Sequence, residues 1–208
     1  MIHDQLLATL WSVQCSFFNH LFTMQLSGYG VAVIVSAIIL YALYIRRIFT
    51  RDIPPPISTW GLWLLLDIVA MCADLARGIF NIQLVTYTIG TFIVCMILLK
   101  RRNITWDKRW DNITTAFVVL SIALWFFMDN ATLGLLVSLM GMTVATFPLF
   151  RAIMNGGDEP GDAWAVAVIG SALSYLNGNI LSGAWLGIVQ AVILCLILTT
   201  SSRKNAQA

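Results

Sequence analysis

Charge is scarce in this chain. Lys, Arg, Asp and Glu together make up 11% of its 208 residues, less than half of the roughly 25% usual in soluble domains. Against that, 59% of the residues are hydrophobic and the mean hydropathy is +0.84. A water-soluble fold could not hide so much apolar surface, which leaves the bilayer as the solvent. Histidine is nearly missing too: the two present, His3 and His20, both lie in the N-terminal segment. No HExxH helix, GxSxG elbow or glycine-rich phosphate loop occurs, and no enzyme activity is expected. The four cysteines, Cys15, Cys72, Cys95 and Cys195, stand singly in apolar runs. Without a CxxC pair or metal-ligand spacing they read as small packing residues, and neither a cofactor nor a metal is expected. The net charge of +2 carries no message about nucleic acid, and none is expected as a partner.

What the sequence does have is long apolar runs, at 29–47, 59–78, 83–100, 112–128, 131–150, 163–177 and 183–200. At a rise of 1.5 Å per residue most of them can cross a hydrocarbon core of about 30 Å. The predicted fold is an all-α polytopic membrane protein with seven transmembrane helices. No basic stretch precedes the first apolar residues, so insertion is expected to rely on the spans and not on a cleavable signal.

The basic residues predict orientation. Arg46, Arg47 and Arg51 follow the first span, and Lys100, Arg101, Arg102, Lys108 and Arg109 lie between the third and fourth. Arg151 closes the fifth, and Arg203 with Lys204 follow the seventh. Only Arg77 falls on the other side. The positive-inside rule makes these connections and the C-terminus cytoplasmic, with the N-terminus outside. The short loops suggest a bacterial inner membrane. Residues 5–26 pair an apolar stripe of Leu6, Leu10, Val13, Phe17 and Leu21 with a polar one, the pattern of an amphipathic helix at the outer interface. The rival reading is an eighth span.

The chain matches itself at an offset of 104 residues: Gly30 with Gly134, Arg47 with Arg151, Pro56 with Pro160, Trp60 with Trp164. With four residues deleted, Cys95 then meets Cys195 and Ile97 meets Ile197. The expected organisation is an amphipathic segment at 1–28, a three-helix repeat at 29–102, a linker helix at 103–130 and a second three-helix repeat at 131–208. Two parallel repeats are a transporter architecture, with the substrate path between them.

This three-plus-one-plus-three plan resembles the SWEET, SemiSWEET and PQ-loop superfamily. The stretch Pro54-Pro55-Pro56-Ile57-Ser58-Thr59-Trp60-Gly61-Leu62-Trp63 is also similar to the Pro-Ser-x-x-Trp-x-x-Trp start of the second helix in small bacterial SWEET-like proteins. The resemblance covers about 29–200. It departs at the proline of the first helix of each repeat: Pro148 is followed by Leu149 and not by Gln, and Tyr44 holds the matching place in repeat one. Sugar is therefore not implied as the substrate.

Span two carries Asp67, Asp74 and Arg77. The two carboxylates are two turns apart, on one helix face. A charge costs at least about 2.5–3.5 kcal/mol in the hydrocarbon core, so they should face the bundle interior. Asp74 can pair with Arg77, whereas Asp67 has no base at i±3 or i±4 and is the candidate for substrate binding or proton linkage. At the 104 offset Ser171 stands opposite Asp67 and Tyr175 opposite Met71. With Asp74, Thr88, Asn177 and Gln190 these complete the expected substrate-binding set, suited to a small polar solute. In SWEET-type transporters, aromatic and Asn side chains of the two repeats line the central pocket. Pro148 is the expected hinge, and Asp162 against Arg47 or Arg151 a cytosolic gate. Trp60, Trp63, Trp106, Trp110 and Trp164 read as interfacial anchors.

The function expected is small-solute transport by alternating access. The alternatives are a vitamin-precursor carrier like the nicotinamide riboside transporters, or a membrane receptor or assembly factor that moves nothing. Assembly as a homo-oligomer is left open.

Overall fold

The computed structural model describes residues 27–50, 57–100, 108–128, 130–155 and 159–207. Both readings of residues 5–26 lie outside these, as do Arg51 and Asp52. The described residues form eight helices: α1 (Gly28–Thr50), α2 (Ile57–Ala76), α3 (Ile82–Lys100), α4 (Lys108–Met128), α5 (Ala131–Ala145), α6 (Phe147–Met154), α7 (Gly161–Leu176) and α8 (Ile180–Gln207). No strand occurs among the described residues.

Five stretches are long and apolar enough to cross a membrane: α1, α2, α3, the α5–α6 pair and α8. The apolar part of α4, Asn112–Leu124, and the whole of α7 are shorter. The fold is inverted relative to a soluble bundle. Val35, Ile38, Ile89, Phe92 and Ile188 point outward, while Asp67, Gln83, Thr91, Ser171 and Gln190 are buried. Only a surrounding of lipid makes that distribution favourable, because buried polar groups then bond one another across helices.

Helix α3 packs against both α1 and α2, and α8 against α7, α6 and α5. Helix α1 also lies along α7, and α2 along α5, while α4 rests on α5 and α2. The core runs down the seam where these helices meet, through Leu66, Leu84, Leu98, Leu135, Leu139 and Ile193.

Helices α5 and α6 are one apolar stretch broken at Thr146. Pro148 stands in the first turn of α6, where its missing N–H removes a helical bond and its ring opposes the preceding turn. The Thr146 N–H turns to the Thr143 and Val144 carbonyls, and its hydroxyl donates instead to the Met142 carbonyl at 2.7 Å. At its other end α5 is capped by Asn130, whose side chain accepts the Leu133 N–H at 3.0 Å.

Glycine ends α2 and α7. Gly78 and Gly178 have φ of 74° and 93°, the left-handed conformation that closes a helix without a Cβ penalty. Helix α7 begins 104 residues after α2 but ends 100 residues after it, so with 16 residues against 20 it is one turn shorter.

Candidate functional site

One cavity opens on the seam between the helices. Its water-sized space is about 80 Å³, several times the roughly 10–15 Å³ that one water needs. From α1 come Tyr41 and Tyr44, from α2 Trp60, Trp63 and Asp67, and from α3 Tyr87 and Thr91. Helix α7 gives Trp164 and Ala167, and α8 gives Gln190.

Asp67 is 6% exposed, and Thr91 Oγ1 donates to its Oδ2 at 3.2 Å. The same threonine oxygen lies 2.9 Å from the Tyr41 hydroxyl, which also donates to the Tyr87 carbonyl at 3.0 Å. On the far wall Gln190 Nε2 donates to the Tyr87 hydroxyl at 3.3 Å, and its Oε1 accepts from Ser171 Oγ at 2.7 Å. Gln83 Nε2 in turn donates to Ser171 at 2.6 Å. Two polar groups thus meet at Tyr87, one at its backbone carbonyl and one at its hydroxyl, and such networks fix side-chain positions in a low-dielectric interior.

Of the expected substrate-binding residues, Asp67 and Gln190 face the cavity. Ser171 stands behind Gln190, one bond away. Ser171 and Tyr175, which stand opposite Asp67 and Met71 at the 104 offset, do not line the cavity. From α7 the cavity meets Ala167, and Tyr175 is 47% exposed. Met71 is half-buried against the core, and Thr88 donates to its own helix at the Leu84 carbonyl, 2.7 Å away. Neither lines the cavity. Asn177 accepts from Ser27 Oγ at 2.5 Å.

Asp74 belongs to a separate cluster. Its Oδ1 pairs with Arg77 Nη1 at 2.9 Å, and its Oδ2 accepts from Asn81 Nδ2 at 2.9 Å. Asn81 also bonds Ser182 at 2.6 Å, which ties the α2–α3 turn to α8. The geometry is that of a structural brace.

The expected gating residues sit at the opposite end. Arg47 is in the last turn of α1, and Arg151 in the last turn of α6. Asp162 is exposed in the first turn of α7, where its Oδ1 accepts the Ala163 N–H at 2.9 Å. From α1, Tyr44 reaches the segment before α7, donating to Glu159 Oε2 at 3.2 Å.

Three of the tryptophans that read as interfacial anchors line the cavity. Trp60 and Trp164 are only 5% and 7% exposed, and with Trp63 they form a cavity wall. The readable signal was spacing: Trp60, Trp63 and Asp67 lie at i, i+3 and i+7, one face of one helix. The indole Nε1 atoms of Trp63 and Trp164 and the Gln83 Oε1 are buried without a hydrogen-bond partner.

No protein-family model matches this chain, and no curated protein or solved structure matches it either.

Proposed function

We propose that the chain is a small polar-solute transporter of SWEET-like plan, moving its solute by alternating access between two three-helix halves. The observation that carries this reading is the cavity of Asp67 and Gln190, set on the seam where both groups of helices meet. An apolar exterior around a hollow that carries a few buried polar groups is what a carrier needs and what a purely structural bundle avoids.

The pairing of helices supports the repeat. Taking α1, α2 and α3 as one half and α5–α6, α7 and α8 as the other, the third helix of each half touches its first and second. Between the halves, α1 lies on α7 and α2 on α5, the exchange that a two-fold axis along the membrane normal generates. In this reading α4 is the linker, α4 and α7 complete seven spans, and the break at Pro148 is the hinge. Tyr44 and Glu159 join Arg47, Arg151 and Asp162 at the cytoplasmic gate. The membrane is a bacterial inner membrane, with the N-terminus outside and the C-terminus in the cytoplasm.

The test is uptake of labelled sugars, nucleosides, amino acids, vitamins and choline by proteoliposomes, beside melting of the purified protein with each. A ligand at 100 times its dissociation constant adds about 2.7 kcal/mol of stability. At least one class should cross and raise the melting temperature, and Gln190→Ala should weaken both effects. If no class crosses and none raises the melting temperature, the transport reading fails in favour of a receptor or assembly factor.

A further inference from the structure

Four of the aromatic side chains in the cavity join edge to face in a closed circuit. Tyr44 meets Trp60 with ring centroids 4.7 Å apart, and Trp60 meets Trp63 at 5.2 Å. Trp63 meets Trp164 at 6.3 Å, and Trp164 returns to Tyr44 at 6.4 Å. Consecutive ring planes stand 60–88° apart, so the four are walls of a box and not layers of a stack. Beside them Tyr41 and Tyr87 form another edge-on pair, at 6.1 Å and 86°. Ring faces carry negative charge density and attract a cation within about 6 Å of the centroid.

The charges point the same way. Among the described residues Asp67 is the one carboxylate lining the cavity, and no Lys, Arg or His lines it. Arg77, the basic residue just beyond the far end of α2, is engaged with Asp74. Asp67 itself has no ion-pair partner among the described residues. A desolvated carboxylate without a counter-ion is costly, and an entering cation would supply one.

We propose that this cavity takes a small organic cation, an alkylated ammonium whose charge lies between Asp67 and the aromatic box. The proposal rests on the reading of the chain as a solute carrier and narrows the solute to a compact monocation. A water-sized space of about 80 Å³ fits a headgroup of that kind. The unpartnered Nε1 donors of Trp63 and Trp164 add a requirement: an acceptor oxygen near the ammonium, since a buried indole N–H seeks one.

Choline and tetramethylammonium are the probes, and dimethylbutanol, the neutral carbon isostere of choline, is the control. Binding to the full-length protein in detergent is followed by tryptophan fluorescence, together with choline uptake by proteoliposomes. Choline should quench the fluorescence and bind at least about tenfold more tightly than its isostere, the scale of a desolvated cation–π contact. Asp67→Asn should lower choline affinity by about tenfold or more while leaving the affinity for dimethylbutanol unchanged. The wild-type comparison stands even if that variant fails to fold. Equal affinity for choline and its isostere, or binding of neither cation, overturns the proposal. Choline bound but not carried keeps the proposal and sinks the carrier reading. Glucose or a nucleoside carried while both cations are inert sinks the proposal and keeps the carrier reading.

Discussion

Gly78 and Gly178 close their helices with the same pair of backbone hydrogen bonds, one hundred residues apart in the chain. The Gly78 N–H reaches the Leu75 carbonyl at 3.0 Å and the Ile79 N–H reaches Asp74 at 2.9 Å. The Gly178 N–H reaches Tyr175 at 3.1 Å and the Asn179 N–H reaches Ser174 at 3.1 Å. Nothing lies within 4 Å of a Cβ added at Gly178, so a substitution there meets only the backbone penalty. Gly178→Ala should cost about 1–2 kcal/mol and Gly178→Asn less, since Asn tolerates the left-handed conformation. Thermal unfolding in detergent measures both, and an alanine variant as stable as the parent would show that the turn relaxes freely.

Asp74→Ala separates bracing from binding. It removes the partner of Arg77 and one acceptor of Asn81. The loss should be about 1.5–3 kcal/mol, the range for hydrogen bonds to charged groups. Solute affinity should hold, because the cavity lies elsewhere on α2. A matching fall in affinity would place Asp74 in the transport path.

Gly90 makes room for a ring. A Cβ there would overlap the ring of Tyr41, which meets the α3 backbone at that point. Gly90→Ala should therefore cost about 1–3 kcal/mol by overpacking. It should also weaken solute binding through the displaced Tyr41–Thr91 contact. In a Tyr41→Ala background the same change should cost almost nothing, and a double-mutant cycle reads that difference. Equal costs in both backgrounds would mean that Tyr41 is not the obstacle.

Pro148→Ala restores the missing N–H and lets α5 and α6 join as one helix. If the break serves the conformational cycle, the uptake rate should fall while equilibrium binding stays near the parent value. Proteoliposome initial rates and binding isotherms on the same preparation decide the matter. An unchanged rate removes Pro148 from the mechanism.

Orientation has its own test. In a cysteine-free background, Gly28→Cys should react with an impermeant maleimide added to intact cells. Ser202→Cys should react only after permeabilisation. The reverse pattern would overturn the positive-inside assignment.

Sequence legibility followed dimension. The runs of apolar residues and their lengths are one-dimensional properties, and α1, α2, α3 and α8 lie where hydropathy placed them. Direction around a helix is harder to read. Trp60 and Trp164 open their helices, which suits an anchor at the membrane edge, and only the neighbouring helices turn them inward to a cavity. The register of the second half slipped for a related reason. The matches Trp60–Trp164 and Cys95–Cys195 require the loss of four residues, and a deletion is more easily imagined in a loop than inside a helix. It falls between the two ends of α7, and Ala167, not Ser171, lines the cavity. Tyr41 and Tyr44 carried no motif of their own, and their role emerges only from what α2, α3 and α7 bring beside them.

That missing turn has a consequence for the surroundings of the protein. Sixteen residues of α7 span about 24 Å as a helix, against roughly 30 Å of hydrocarbon in an average bilayer. In the proposed seven-span plan, acyl chains beside α7 would have to compress or tilt to meet its ends, while those beside the 23-residue α1 would not. Mismatch of this kind costs fractions of a kcal/mol per ångström, so under that plan acyl-chain length itself becomes a variable that sets where this protein settles.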